Sequence, residues 1–184
     1  MKVLVDGDIL TYRAAFSCAN DSIDDAFEYM DGLIDEIVGE VLWDGDLSNL
    51  EVFLTGKGNF RYDVQPTYKQ NRSCKPKPEH LPDLREYLWQ EYDAKVSEGQ
   101  EADDDITIRA TELGPSTVIA SIDKDFLQVP CWHYNLNKKT MTQVSPFEGL
   151  KFVYGQILMG DAADNVVGLK GIGLVKSKKM LEGA

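Results

Sequence analysis

Four groups of carboxylates carry the chemistry this sequence could do: Asp6-Gly7-Asp8, Glu101-Ala102-Asp103-Asp104-Asp105, Asp123-Lys124-Asp125 and Asp161-Ala162-Ala163-Asp164-Asn165. Each adjoins apolar sequence. An acid at the tip of a buried strand is costly unless a metal or a positive group compensates it. Singly, every group has a bland reading: acids in a first helical turn complement the helix dipole, and an Asp-x-Asp is common in turns. Together they would repel one another by several kcal/mol unless cations neutralised them. Oxygen donors without His or Cys select Mg²⁺ or Mn²⁺ over Zn²⁺. Two such ions about 4 Å apart are the usual arrangement for in-line phosphodiester hydrolysis, one activating water and the other stabilising the leaving oxygen. A polyanionic substrate also needs cations, and the basic block at 57–78 supplies them, with Lys69 and Arg72 best suited to a scissile phosphate.

The net charge of −12 argues against a nucleic-acid partner if taken alone. Its distribution argues otherwise. Residues 1–56 carry two basic against thirteen acidic side chains, whereas 57–78 carry Lys57, Arg61, Lys69, Arg72, Lys75 and Lys77 against Asp63 alone. Residues 79–164 are acidic again, and 165–184 carry Lys170, Lys176, Lys178 and Lys179 against Glu182. Such runs are more often solvated faces than binding sites. No stretch is long and apolar enough to span a membrane, and Asp6 and Asp8 interrupt any signal-peptide core. Cys18, Cys74 and Cys131 are too few and too scattered for a disulfide framework or a zinc site, so a reducing cytoplasm is the expected setting.

The elements that must position these acids follow from periodicity. Residues 2–6, 51–55 and 116–121 read as strands. Helical spacing covers 9–18, 23–42, 81–92 and 101–113, and Ser145-Pro146-Phe147-Glu148 is a capping box opening a helix to about Met159. The tail reads as a glycine hairpin feeding a last helix. Alternating strands and helices imply a parallel α/β sheet, whose ligands sit beyond the carboxyl ends of the strands, where Asp6 and Asp123 fall. Residues 56–78 read as a long functional loop.

The motifs VDGDILTYR, YKQNR, EADDD, SIDKDFLQV and GDAADNVVGLKGIG occur in an order that resembles the 5′-nuclease superfamily of phage 5′→3′ exonucleases, flap endonucleases and the 5′-nuclease domain of bacterial DNA polymerase I. The resemblance spans nearly the whole chain. It implies a PIN-like α/β core over 1–144 with a mostly parallel sheet and an arch at about 57–80. A helix–three-turn–helix DNA clamp would follow at 145–184. It implies that Asp6, Glu101, Asp103, Asp104, Asp123, Asp125, Asp161 and Asp164 hold two Mg²⁺ or Mn²⁺ ions, that Lys69 and Arg72 grip the scissile phosphate, and that Tyr68 stacks on a terminal base. Arg61, Lys75, Lys77, Lys170, Lys176 and Lys178 are expected to contact DNA, together with the hairpin Gly171-Ile172-Gly173 and its K⁺ ion. The expected partner is DNA with 5′ ends or 5′ flaps, or RNA, in phage or bacterial replication or repair, with no membrane and no obligate protein partner.

Two departures stand against the family pattern. Thr55 and Gly56 stand at the end of the second strand, where the family carries another metal-ligating Asp, and the chain stops inside the last helix of the clamp. Pro76 and Pro78 favour a loop over a helix in the arch. Asp8 reads as the cap of the helix after the first strand. Gly7 reads as the residue that lets the backbone turn. Asp105 reads as a surface neighbour of the ligands, and Arg13 as the partner either of a site acid or of a phosphate. His80 and His133 are given no role, and Cys74 reads as an exposed thiol. Trp43, Trp89 and Trp132 read as core or rim. Two other functions are open at this point: a HAD-type phosphatase, matching VLVDGDIL and GDAAD but leaving EADDD and DKD without a role, and a non-catalytic nucleic-acid binder, suggested by Thr55.

Overall fold

The computed structural model describes residues 1–42, 44–70 and 76–182. Arg72, Cys74, Lys75 and Trp43 therefore lie outside the described residues. A six-stranded sheet has the order β3-β2-β1-β4-β5-β6, formed by β1 (Val3–Asp6), β2 (Leu50–Thr55), β3 (Lys95–Ser97), β4 (Val118–Ser121), β5 (Trp132–Asn135) and β6 (Thr140–Gln143). The first five are parallel and only β6 runs antiparallel, against β5. Three of these strands match the sequence reading. The edge strands β3 and β6, and β5 beside β6, escape it. β6 is exposed throughout and β3 buries only Ser97, so neither strand carries an apolar alternation to read.

Alternation along the central strands builds the two cores. Val3, Val5, Val52, Leu54, Val118 and Ala120 face one side of the sheet, where α1 (Gly7–Ser17), α2 (Ile23–Val41) and α4 (Leu81–Glu91) cover them. Leu4, Phe53 and Ile119 face the other side and meet Ala102, Ile106 and Ala110 of α5 (Ala102–Leu113). The short α3 (Arg61–Val64) lies within the expected loop. The C-terminal part consists of α6 (Pro146–Met159), a two-stranded hairpin of β7 (Gly160–Asp161) and β8 (Val166–Val167), and α7 (Leu174–Leu181). Ser145 and Glu148 close the capping box that the sequence signals. α6 lies tight on the 3₁₀ turn Lys124–Gln128, since a Cβ on Gly149 would come within 2.5 Å of the Gln128 carbonyl oxygen.

Strand order reverses direction at β1, with β2 on one side and β4 on the other. In an open parallel sheet that switch point leaves a crevice outside the carboxyl ends of the strands. Asp6 ends β1 there, and Ser121 ends β4 with Asp123 two residues on.

Candidate active site

Asp6 is 8% exposed and is the N-cap of α1: one carboxylate oxygen accepts from the Ile9 amide at 3.2 Å, the other from the Ser121 hydroxyl at 2.9 Å. This corrects the sequence reading, which gave the cap to Asp8. The helix starts at Gly7, two residues earlier than expected, and Gly7 lies against β2, where a Cβ would come within 2.6 Å of the Phe53 carbonyl oxygen. Gly7 thus serves close helix–strand packing more than turning. Asp8 points instead to the end of β2, accepting from the Thr55 amide at 3.0 Å and from the Arg85 guanidinium, whose other nitrogen donates to the Thr55 carbonyl.

Thr55 is the residue where an Asp was expected, and its hydroxyl accepts from the Ala102 amide at 2.9 Å, in the first turn of α5. One residue therefore joins α1, α4 and α5 at the tip of β2. Gly56 has no room for a carboxylate, since a Cβ there would lie 2.3 Å from the Ser97 carbonyl oxygen. Arg85, which sequence reading passed over, enters this network from α4; its only sequence signal was a basic residue on the flank of an apolar stripe.

The α5 acids open the helix and are sorted by their partners. Arg61 grips Asp104 through both guanidinium nitrogens, the second at 2.7 Å. Burial would raise the Asp104 carboxyl, but the Arg61 bonds outweigh it and hold the group below its ordinary range. Arg61, expected on DNA, is thus committed to a site acid. The Lys69 ammonium meets both oxygens of Glu101, at 2.8 and 2.9 Å, with Asp164 at 3.9 Å. Tyr68 is 5% exposed and donates to Glu101 at 2.8 Å and to Asp164 at 3.2 Å. A ring so enclosed cannot stack on a base in this arrangement, and it differs there from the expectation. Asp103 is pushed up to about 6, first by burial and then by Glu101 and Asp104. Asp6 is pushed up to about 7 by burial, against the lowering hydrogen bonds of Ile9 and Ser121. Asp105 accepts from Gln100 and lies beside the ligand candidates, as expected.

Beyond β4, Asp123 caps the 3₁₀ turn through the Asp125 amide at 2.9 Å. The Lys124 ammonium bridges Asp125 at 2.6 Å and Asp161 at 2.7 Å, joining the core to the C-terminal hairpin. Burial would depress that ammonium; the two carboxylates outweigh it and raise it. A cleft of about 820 Å³ takes in Asp6, Asp8, Lys69, Glu101, Asp103 and Asp123, and a second of about 530 Å³ takes in Asp104, Asp125, Asp161 and Asp164; Asp103 and Asp123 line both. All eight candidate metal ligands thus border one continuous trench. Among the described residues no three of them close on a point that would seat an ion. The donor set nonetheless suits a hard divalent cation: it is all oxygen, and among the described residues no ammonium or guanidinium hydrogen-bonds Asp6 or Asp103.

Of the remaining described site candidates, Lys77 alone borders one of these two clefts. Lys77 is exposed at the rim of the larger cleft. Gly171 adopts φ +78°, Ile172 donates to the Leu169 carbonyl at 3.1 Å, and Gly173 caps α7. Lys170 and Lys178 are exposed, while Lys176 folds back onto the Gly171 carbonyl at 2.9 Å. Arg13 donates to the Leu136 carbonyl, and among the described residues it forms no ion pair with a site acid. Among the described residues no helix is long and apolar enough to cross a membrane.

A family model described as the 5′-3′ exonuclease N-terminal resolvase-like domain matches residues 1–150. The chain belongs to this exonuclease-domain family. The family's curated relatives include a DNA polymerase I of Bacillus caldotenax, 32% identical over 97% of this chain and 23% of that protein. Flap endonuclease Xni of Shewanella piezotolerans is 29% identical over 77% of this chain and 57% of its own length. The chain thus spans a quarter to just over half of these relatives. Among solved structures, the bacteriophage T5 flap endonuclease in complex with DNA and metal ions superposes with a TM-score of 0.78 at 20% identity, over 98% of this chain and 74% of that one. Flap endonuclease-1 of Methanococcus jannaschii gives 0.55 at 14% identity, over 99% and 70%. These likenesses establish the α/β fold with its mostly parallel sheet, as the motifs implied.

Proposed function

We propose that this chain is a divalent-metal-dependent 5′-nuclease that hydrolyses DNA phosphodiester bonds, as a 5′→3′ exonuclease, a flap endonuclease or both. The observation that carries the reading is the trench itself. Asp6, buried, and Asp103, half-buried, stand at the switch point, with Glu101 and Asp123 beside them and the Lys69 ammonium inside the same cleft. Two Mg²⁺ or Mn²⁺ ions, held by Asp6, Glu101, Asp103 and Asp123 on one side and Asp104, Asp125, Asp161 and Asp164 on the other, would activate water and stabilise the departing oxygen. Lys69, freed from Glu101, would hold a non-bridging phosphate oxygen and orient the bond for in-line attack. Arg72 is assigned the same phosphate on the strength of the motif. Asp6, fixed from both sides by Ile9 and Ser121, is a preorganised ligand that needs no rotamer search.

The hairpin Gly171-Ile172-Gly173 with Lys170, Lys176 and Lys178 is assigned to the duplex backbone, with K⁺ beside it, and a bacterial or host cytoplasm is the compartment in which such an enzyme would meet its DNA. A second reading, a structure-specific binder that does not cut, draws on Thr55 and on the protein cations already paired with the acids. One assay separates the two: cleavage of 5′-flapped, nicked, single-stranded DNA and RNA with Mg²⁺ or Mn²⁺, alongside Asp123→Ala and Lys69→Ala. Metal-dependent release from the 5′ end, lost in both variants, supports the nuclease. Binding without cleavage under both metals refutes it.

A further inference from the structure

A second groove, of about 540 Å³, opens beside the acidic trench on the flank of α4 and the edge strand β3. Its character is different. Trp89, Pro78, Pro82 and Val96 make it apolar, Lys77 and Arg85 stand at its border with the trench, and Glu86 is its one acid. Trp89 is 54% exposed and Val96 47%, a large share for residues that usually bury. Leu81, Leu84 and Leu88 take the core-facing stripe of α4, so Arg85 and Trp89, four residues apart, share the flanking face. Lys77, Leu81, Arg85 and Val96 line both the groove and the larger cleft, so the two openings adjoin along these residues.

We propose that this groove is a subsite for the single-stranded 5′ tail of a DNA substrate, with a base stacked on Trp89 and its phosphate beside Lys77. The inference rests on the nuclease reading for its substrate. An exposed aromatic next to cations, continuous with a site that takes phosphodiesters, is the composition that holds unpaired strands without sequence preference. The Arg85 guanidinium is occupied by Asp8 and Thr55, so its stem lends apolar surface while Lys77 remains the exposed cation.

Binding tests this independently of cleavage. A fluorescently labelled duplex with a single-stranded 5′ tail of thymidines, and the same duplex without the tail, are titrated by anisotropy in EDTA and in Mg²⁺. Trp89→Ala is expected to lose roughly tenfold in affinity for the tailed duplex and nothing for the blunt one, with Trp89→Phe restoring most of the loss. Wild-type tryptophan emission should be quenched by an oligothymidylate, and the quenching should be smaller in Trp89→Phe. An unchanged ratio of tailed to blunt affinity in Trp89→Ala overturns the proposal, as does emission that responds to protein concentration instead of oligonucleotide, which would assign the groove to self-association. Tail-dependent binding in a protein that does not cut would leave the subsite standing and remove the nuclease reading. Cleavage with an unchanged ratio would do the reverse.

Discussion

Replacing Asp6 by Asn should stabilise the metal-free protein above neutral pH. Asp6 is buried and its folded-state value is pushed up to about 7, against 3.8 in an unfolded chain. The folded state therefore binds the proton more tightly than the unfolded one. Stability linked to this group is undiminished below about pH 4, declines as Asp6 is forced to ionise, and reaches its full deficit above about pH 7. A difference of about three pKa units corresponds to about 4 kcal/mol, reached with a slope of at most about 1.4 kcal/mol per pH unit. Asn caps a helix as well as Asp: its Oδ1 can accept from the Ile9 amide while its Nδ2 donates to the Ser121 hydroxyl oxygen, so the substitution removes the titration and keeps a hydrogen bond on each side. Urea unfolding of wild type and Asp6→Asn in EDTA, at pH 5, 6, 7 and 8, measures the gap. It should be about 1.5 kcal/mol at pH 5 and widen to about 4 kcal/mol at pH 8 in favour of the variant. Saturating Mg²⁺ should close it by stabilising wild type alone. A gap that stays flat from pH 5 to 8 would refute the argument that burial leaves this carboxylate uncompensated.

Three further outcomes follow from single contacts. Gly7→Ala should destabilise by about 1–3 kcal/mol in urea unfolding, although Gly→Ala inside a helix ordinarily stabilises, because the added Cβ meets the Phe53 carbonyl at 2.6 Å. Thr55→Val should cost about 1 kcal/mol through the orphaned Ala102 amide, and Thr55→Ser should cost less, both read by the same unfolding measurement. Lys124→Met should bind Mg²⁺ several-fold more tightly by calorimetry, because an entering ion no longer displaces the ammonium from Asp125 and Asp161; unchanged or weaker binding would refute the competition.

Most of the fold was legible because its central strands are short apolar runs and its helices keep a regular stripe. β1, β2, β4 and five of the helices fall within a residue or two of the expected bounds, and the last helix follows the glycine turn as expected. The polar edge strands β3 and β6 were illegible for the opposite reason: with no face to bury, they carry no pattern. The candidate site was legible as a set of acids and opaque in its pairings. Asp6 and Asp8 are the same residue type two positions apart, and either could cap the helix. Only the contact of Gly7 with β2, a tertiary fact, decides that Asp6 does so and that Asp8 turns to Arg85. Likewise, nothing local in the sequence separates Arg61, which clamps Asp104, from a surface cation awaiting DNA.

The pairings divide the acids into two classes, and the division has consequences for binding. Asp104 has Arg61, Glu101 and Asp164 have Lys69, and Asp125 and Asp161 have Lys124. Among the described residues no ammonium or guanidinium hydrogen-bonds Asp6, Asp103 or Asp123, and of these Asp6 and Asp103 are displaced upward. A divalent cation held in the trench would gain most beside Asp6 and Asp103, where it would replace a proton on a carboxyl that burial pushes up. It would gain less where it must first displace a lysine. The protein cations thus act as counter-ions of the metal-free state, and their release has a direction. If Glu101 held a divalent cation, as proposed, the Lys69 ammonium would be free inside the same cleft, where the proposed substrate's phosphate would be its next partner.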